Sequence, residues 1–176
     1  MQEKEAIALI QDEKFKPLGQ QLWYDLGAGS GTFTIALATL LEPGSRITAI
    51  DKNSSSLRQI PKQIANTEIE LFRQDFALSN LPYDNYDGIL MANSIHYIKD
   101  KSSFITKIVS SLKQSHKFLF VEYDTEKSNP WVPYPMGFSL LKQFFTEIGY
   151  KNVIKLHERK SRYNRSMMYS AVVDKV

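Results

Sequence analysis

Short apolar runs take turns along this chain with stretches in which apolar residues recur every third or fourth place. Leu22-Trp23-Tyr24-Asp25-Leu26, Arg46-Ile47-Thr48-Ala49-Ile50, Ile69-Glu70-Leu71-Phe72, Tyr86–Ala92 and Phe118–Val121 read as strands buried on both faces. Between them, three sets fall at helical spacing: Phe33, Leu37, Leu40 and Leu41; Phe104, Ile105, Ile108, Val109 and Leu112; and Leu140, Leu141, Phe144, Phe145 and Ile148. Pro43-Gly44 closes the first set, and Gly149 stands where a left-handed residue ends the last. Two further strands are expected around Val153–Leu156 and Met168–Val173, joined by a polar loop with no helix between them. Strands alternating with helices predict an α/β fold: one doubly wound, mostly parallel sheet covered on both faces by helices. The directly joined closing pair predicts an antiparallel strand at that edge. Residues 1–19 are expected to hold one short helix around Glu5–Ile10, and residues 20–176 the core of a single domain.

The strongest local signal follows the first strand. Asp25-Leu26-Gly27-Ala28-Gly29-Ser30-Gly31 joins an apolar strand ending in an acid to a helix, with glycine at every second place. Glycines at such a turn permit positive φ and a close backbone approach to a ligand, and a helix N-terminus favours an anionic group. The dinucleotide fingerprint needs its third glycine where this chain has Thr32, and the Lys-Ser/Thr of a triphosphate loop is absent. The loop resembles the first motif, Glu/Asp-x-Gly-x-Gly-x-Gly, of the class I S-adenosylmethionine (SAM) dependent methyltransferases. That resemblance covers residues 20 to 175 and implies a Rossmann-like, seven-stranded sheet, matching the seven strands counted above. It also implies SAM as cofactor, with Asp25, Gly27, Ala28, Gly29 and Gly31 around its methionine part.

Downstream acids stand where the resemblance needs them. Asp51 follows the second strand about twenty residues past the glycine loop, a place suited to a carboxylate that accepts from two ribose hydroxyls. The competing role for Asp51 is a helix cap, because Asn53 and a serine run follow. Lys52 is its neighbour on the cofactor side. By the same resemblance Asp75 faces the adenine amino group and Phe76 flanks the ring, and Asn93 ends the fourth strand beside the methyl group.

The acceptor is harder to read. Asn93-Ser94-Ile95-His96 lacks the Pro-Pro of enzymes that methylate base amines, and the chain has no cysteine for thiolate attack on cytosine. The motif is more similar to the Leu-His-His type of small-molecule methyltransferases, with His96 at the first histidine place and Tyr97 at the second. Methyl transfer from a sulfonium needs positioning above all, and a general base only when the acceptor must lose a proton. His96 is the candidate base, with Tyr97 and Glu122 behind it; a buried, hydrogen-bonded structural histidine is the alternative. Tyr123 to Gly137 leaves the fifth strand on the ligand edge, and its prolines hold Trp131 and Tyr134. His96, Tyr97, Trp131 and Tyr134 are therefore the candidate substrate residues, against a rigid crossover whose aromatics pack on the domain.

Composition narrows the partners. A net charge of +3 neither demands nor excludes nucleic acid. Lys155, Arg159, Lys160, Arg162 and Arg165 around Tyr163 form a basic hairpin that would serve an RNA acceptor. The absence of cysteine excludes a disulfide framework or thiolate metal site and fits a cytoplasmic protein. No apolar run reaches membrane-spanning length, and no metal is expected. The reading is a SAM-dependent methyltransferase with a small-molecule acceptor; the alternatives are a SAM-binding subunit without catalysis and an RNA methyltransferase. Oligomeric state is left open.

Overall fold

The first apolar run becomes β1 (Leu22–Leu26), and the computed structural model, which describes residues 1–161 and 166–175, continues with β2 (Arg46–Asp51), β3 (Gln63–Ile64), β4 (Thr67–Arg73), β5 (Tyr86–Ala92), β6 (Leu112–Asp124), β7 (Asn152–Lys160) and β8 (Met167–Lys175). They form one sheet in the order β3-β4-β2-β1-β5-β6-β8-β7. β4, β2, β1, β5 and β6 are parallel, while β8 runs antiparallel between β6 and β7. The antiparallel strand thus lies one place in from the edge. The eighth strand, β3, is a two-residue hairpin arm on β4, turned at Ala65 with φ 51°. Two residues carry no periodicity, which is why it escapes a pattern reading.

Helices α1 (Glu3–Ile10), α2 (Thr32–Ala38), α3 (Ser54–Leu57), α4 (Lys101–Val109) and α5 (Phe138–Glu147) cover the two faces. α1, α2 and α3 pack Leu9, Leu37 and Leu57 with Trp23, Ile47 and Leu119. On the other face α4 and α5 bring Phe104, Ile108 and Phe145 against Tyr24, Phe118 and Tyr169. Two helices are shorter than their apolar spacing predicts. Leu40 and Leu41 lie in a turn closing on the Leu37 carbonyl, and Leu112 opens β6 opposite Tyr86. There the Ser111 carbonyl accepts from Tyr86 N–H, so sheet pairing displaces the next helical turn. Among the described residues no helix is long and apolar enough to cross a membrane.

The connections reverse direction between β1 and β5: β2 and β4 lie to one side, β6 to the other. Open α/β sheets bind ligands at such a switch point, outside the carboxyl ends of the strands. The glycine loop leaves β1 there and Asn93 leaves β5 beside it.

Candidate functional site

Gly27, Gly29 and Gly31 have φ of 84°, 55° and 87°. At Gly27 an added Cβ would stand 2.6 Å from Ser94 Cβ, and at Gly31 one would meet Ile60 Cγ1 at 2.7 Å, so both positions exclude a side chain. Above Gly29 the space is open, with nothing within 4 Å. The loop's amides, however, are used inside the protein. Gly27 and Ala28 donate to the Ile50 carbonyl, Gly31 donates to the Ala28 carbonyl, and Gly29 donates to Asp51 Oδ2 at 2.8 Å. The expected anion cradle is therefore not what these amides build. The loop instead offers close, uncharged backbone.

Charge on this side comes from carboxylates. Asp25 is 1 % exposed and accepts from Thr34 Oγ1 at 2.5 Å. Burial lifts its pKa to about 7, the Thr34 bond opposes that shift, and the nearby Asp51 adds to it. A cation placed beside Asp25 would relieve this cost, which suits the ammonium of a bound amino acid. Asp51 Oδ1 accepts from Asn53 N–H at 2.8 Å, so each Asp51 oxygen holds one backbone amide and keeps a free lone pair. Asp51 is not the helix cap. Asn53 caps α3, its side chain accepting from the amides of Ser55 and Ser56. Asp75 Oδ1 accepts from Ala77 N–H, and the Phe76 ring packs against Phe104.

These residues line two joined clefts. One, of about 250 Å³, lies between Asp25, the glycine loop, Phe33, Asn93 and Tyr123. The other, of about 470 Å³, runs past Gly27, Asp51, Lys52, Asp75, Phe76 and Asn93. Together they bring the sequence-predicted cofactor residues to one place, with Gly31 behind them as a packing position.

The acceptor side lies past Asn93, whose φ of 53° is strained for a residue with a side chain. His96 sits in a one-turn 3-10 helix (Ile95–Tyr97), and its Nδ1 is 2.8 Å from Glu122 Oε2 on β6. Their side chains are 2 % and 1 % exposed. The Tyr97 ring leans on the imidazole at 4.4 Å between centroids, with Tyr123 at 6.2 Å. A cleft of about 570 Å³ opens here between Asn93, His96, Tyr97, Tyr123, Asn129 and Trp131.

Trp131 is held outward. Asn129 and Val132 exchange backbone bonds, while Asn129 Oδ1 accepts from the amides of both Trp131 and Val132. The turn is pinned, yet its tryptophan is 80 % exposed. Tyr134 is turned elsewhere. Its amide donates to the His96 carbonyl, its carbonyl accepts from Lys101 Nζ, and it does not line the cleft. Burial lowers the pKa of Lys101, whose ammonium also reaches the Ile98 carbonyl and so ties the crossover to the His96 turn.

Tyr123, Asn129, Ser94 and Lys101 belong to the site without having been singled out as site residues from the sequence; only the position of Tyr123 and Asn129 in the irregular segment hinted at it. In the basic hairpin, Lys155 pairs with Asp124 and Glu158, and Arg159 pairs with Glu5 at 3.1 Å. Arg162, Tyr163 and Arg165 lie outside the described residues.

A doubly wound sheet with a glycine loop at its switch point, an acid at the end of the next strand and a second cleft beyond Asn93 leaves room for two ligands side by side. The Methyltransferase domain family matches residues 24–115, more than half of the chain. The chain belongs to that family. No curated protein matches it in sequence. Among solved structures it is similar to a SAM-dependent methyltransferase from Aquifex aeolicus, at TM-score 0.65 and 12% identity over 100% of both chains. It is also similar to a SAM-dependent methyltransferase from Methanosarcina mazei, at TM-score 0.65 and 16% identity over 90% of this chain and 94% of that one. The plantazolicin methyltransferase BpumL, solved in complex with SAH, matches at TM-score 0.63 and 11% identity over 99% of this chain and 82% of that one.

Proposed function

We propose that the chain transfers the methyl group of SAM to a small-molecule acceptor seated between the His96 turn and Trp131. The observation that carries this reading is the junction at Asn93. This residue lines both cofactor clefts and the acceptor cleft, so a donor on one side and an acceptor on the other meet there.

On the cofactor side, Asp25 holds the ammonium end, and the backbone from Gly27 to Gly31 lies under the methionine part. Asp51 takes the ribose hydroxyls, with Lys52 alongside. Asp75 and Phe76 bound the adenine. When bound, SAM supplies a sulfonium methyl that is already a strong electrophile. The protein's task is then to orient two partners and exclude water, for which fixed positioning is worth up to about 7–11 kcal/mol. Trp131 and Tyr97 form the flat walls of the acceptor cleft. Tyr134 supports this wall through its backbone. A cleft of about 570 Å³ suits a drug-sized ligand. An RNA acceptor finds less support, since Lys155 and Arg159 are engaged with carboxylates.

Isothermal titration with SAM, SAH and NAD tests the cofactor half: SAM and SAH bind, and NAD binding more tightly than SAM would overturn it. Turnover of labelled SAM against a metabolite panel tests catalysis and separates an enzyme from a non-catalytic SAM-binding subunit.

A further inference from the structure

The far end of the cofactor cleft is walled by a single turn that follows β4. Asp75 Oδ1 accepts from Ala77 N–H at 3.0 Å, and the Asp75 carbonyl accepts from the amides of Leu78 and Ser79, both at 3.1 Å. Asp75 thus satisfies the amide end of the turn. The carbonyl end converges on one side chain. Lys107 Nζ donates to the carbonyls of Ala77 at 2.9 Å, Ser79 at 3.2 Å and Phe76 at 3.3 Å. An ammonium has three N–H groups and no acceptor, so these three carbonyls use its whole donor set.

Apolar packing does little to hold this turn. Ala77, Leu78, Ser79 and Asn80 are exposed, Leu78 at 83 %. Phe76 is buried, its ring 5.9 Å from that of Phe104 between centroids, and Gln74 Nε2 closes the base by donating to the Asn80 carbonyl at 2.6 Å. Phe104 and Lys107 stand three residues apart on α4, hence on one face of it. That face grips the turn twice, once by a ring and once by an ammonium. Lys107 is outside the cofactor cleft. Asp75, Phe76 and Ala77 line that cleft, whereas Lys107 lines a neighbouring one of about 330 Å³ with Ala77 and Phe104. Whatever Lys107 does for a bound molecule passes through the backbone of the turn.

We propose that Lys107 is the positioning residue for the adenine end of the cofactor, setting from outside the cleft how Asp75 and Phe76 meet the base. The inference rests on the reading above that these two residues bound the adenine. Asp75 Oδ1 is engaged within the turn, so Oδ2 is the oxygen left for the adenine amino group, and its direction follows the turn's backbone. A hydrogen bond weakens steeply as its angle closes from linear, so a turn that drifts loses the amino contact before the domain loses its fold.

The test compares, by titration calorimetry, SAH with S-inosylhomocysteine, in which an oxygen replaces the adenine amino group. The unaltered protein should prefer SAH by about tenfold or more, because the oxygen turns a lone pair towards Asp75. Lys107→Met keeps the length of the side chain and removes its donors. SAH affinity should then fall about five- to tenfold, and the preference should shrink to about twofold. Lys107→Arg, which keeps the charge and the donors, should restore most of both. A merely structural lysine would move the melting temperature and leave the preference as it was. If SAH does not bind the unaltered protein, or binds no better than its inosine analogue, the adenine reading itself fails. If the unaltered protein discriminates and Lys107→Met does so equally, only the present inference falls. Thermal melts check folding, and Lys107→Gln, with two donors and no charge, is read in place of a Lys107→Met that does not fold. Loss of the fold in both would show that Lys107 secures the domain rather than the base, and would overturn the inference.

Discussion

The two halves of the site are built by opposite rules. Around the glycine loop, the hydrogen-bonding groups described above are matched inside the protein, down to the amides of Gly27, Ala28, Gly29 and Gly31. Beyond Asn93, buried atoms are left without partners and an indole stands in water on a pinned turn. On the proposed reading the cofactor half recognises a fixed molecule mainly by shape and a few carboxylates, so its backbone can be finished in advance. On the same reading the second substrate completes the acceptor half, and specificity is expected there.

The largest expected effect breaks the cofactor half alone. Asp51→Ala removes two charge-assisted ribose contacts at about 1.5–3 kcal/mol each, so SAH affinity should fall by about 100-fold or more. The same change unties Gly29, and Asp51→Asn, which keeps one acceptor oxygen, should fall between the two. Calorimetry checks the series. Unchanged affinity in Asp51→Ala would mean that the acid serves only the loop.

Asp25 sharpens the contrast, because it is a buried carboxylate on the side whose loop amides are all matched. Its folded pKa of about 7 lies above the ordinary 3.8. The folded protein therefore keeps a proton that the unfolded chain has released, and stability falls as pH rises from about 4 through 7. Asp25→Asn should raise the melting stability of the ligand-free protein at pH 8 by about 1–3 kcal/mol and flatten that slope. It should also weaken SAH binding about tenfold, since the ammonium loses its anion. In the unaltered protein SAH affinity should rise between pH 6 and 8 as Asp25 ionises, and calorimetry across that range reads it.

Smaller effects belong to the acceptor half. Lys101→Met frees the Tyr134 carbonyl from the His96 turn and should lower turnover several-fold, with SAH affinity unchanged. Trp131→Ala should change stability by less than about 0.5 kcal/mol, because the side chain packs on little. Methyl transfer should nonetheless drop. A melt displaced by several degrees would show that Trp131 is structural after all.

The strands were readable because burial on both faces writes them as apolar runs, and β1, β2 and β5 stand where those runs stand. The thirteen residues of β6 were not, since Lys113-Gln114-Ser115 is polar and joins the sheet by extending a strand already paired with β8. The acids at strand ends and the glycines carry a local spacing, and the structure gathers them. The use of the loop amides could not be foreseen, because it depends on Ile50 and Asp51 arriving from the neighbouring strand. The same holds for His96 and Glu122, 26 positions apart and joined only by the register of β5 on β6. Tyr134 looked equivalent to Trp131 in the sequence. The tight turn at Asn129–Val132 directs one ring to the cleft, while Lys101 holds the backbone of the other.

The chain has only two tryptophans, Trp23 wholly buried at 0% exposure in the sheet and Trp131 at 80% beside the cleft. Their emission is therefore split by environment: a blue component from a buried indole whose N–H donates to Gln21 Oε1 and a red one from an indole in water. The blue component follows the integrity of the sheet, and the red one follows whatever settles on the acceptor wall. A molecule bound over Trp131 would shift and quench the red component and leave the blue one still, so the protein carries its own optical gauge of occupancy.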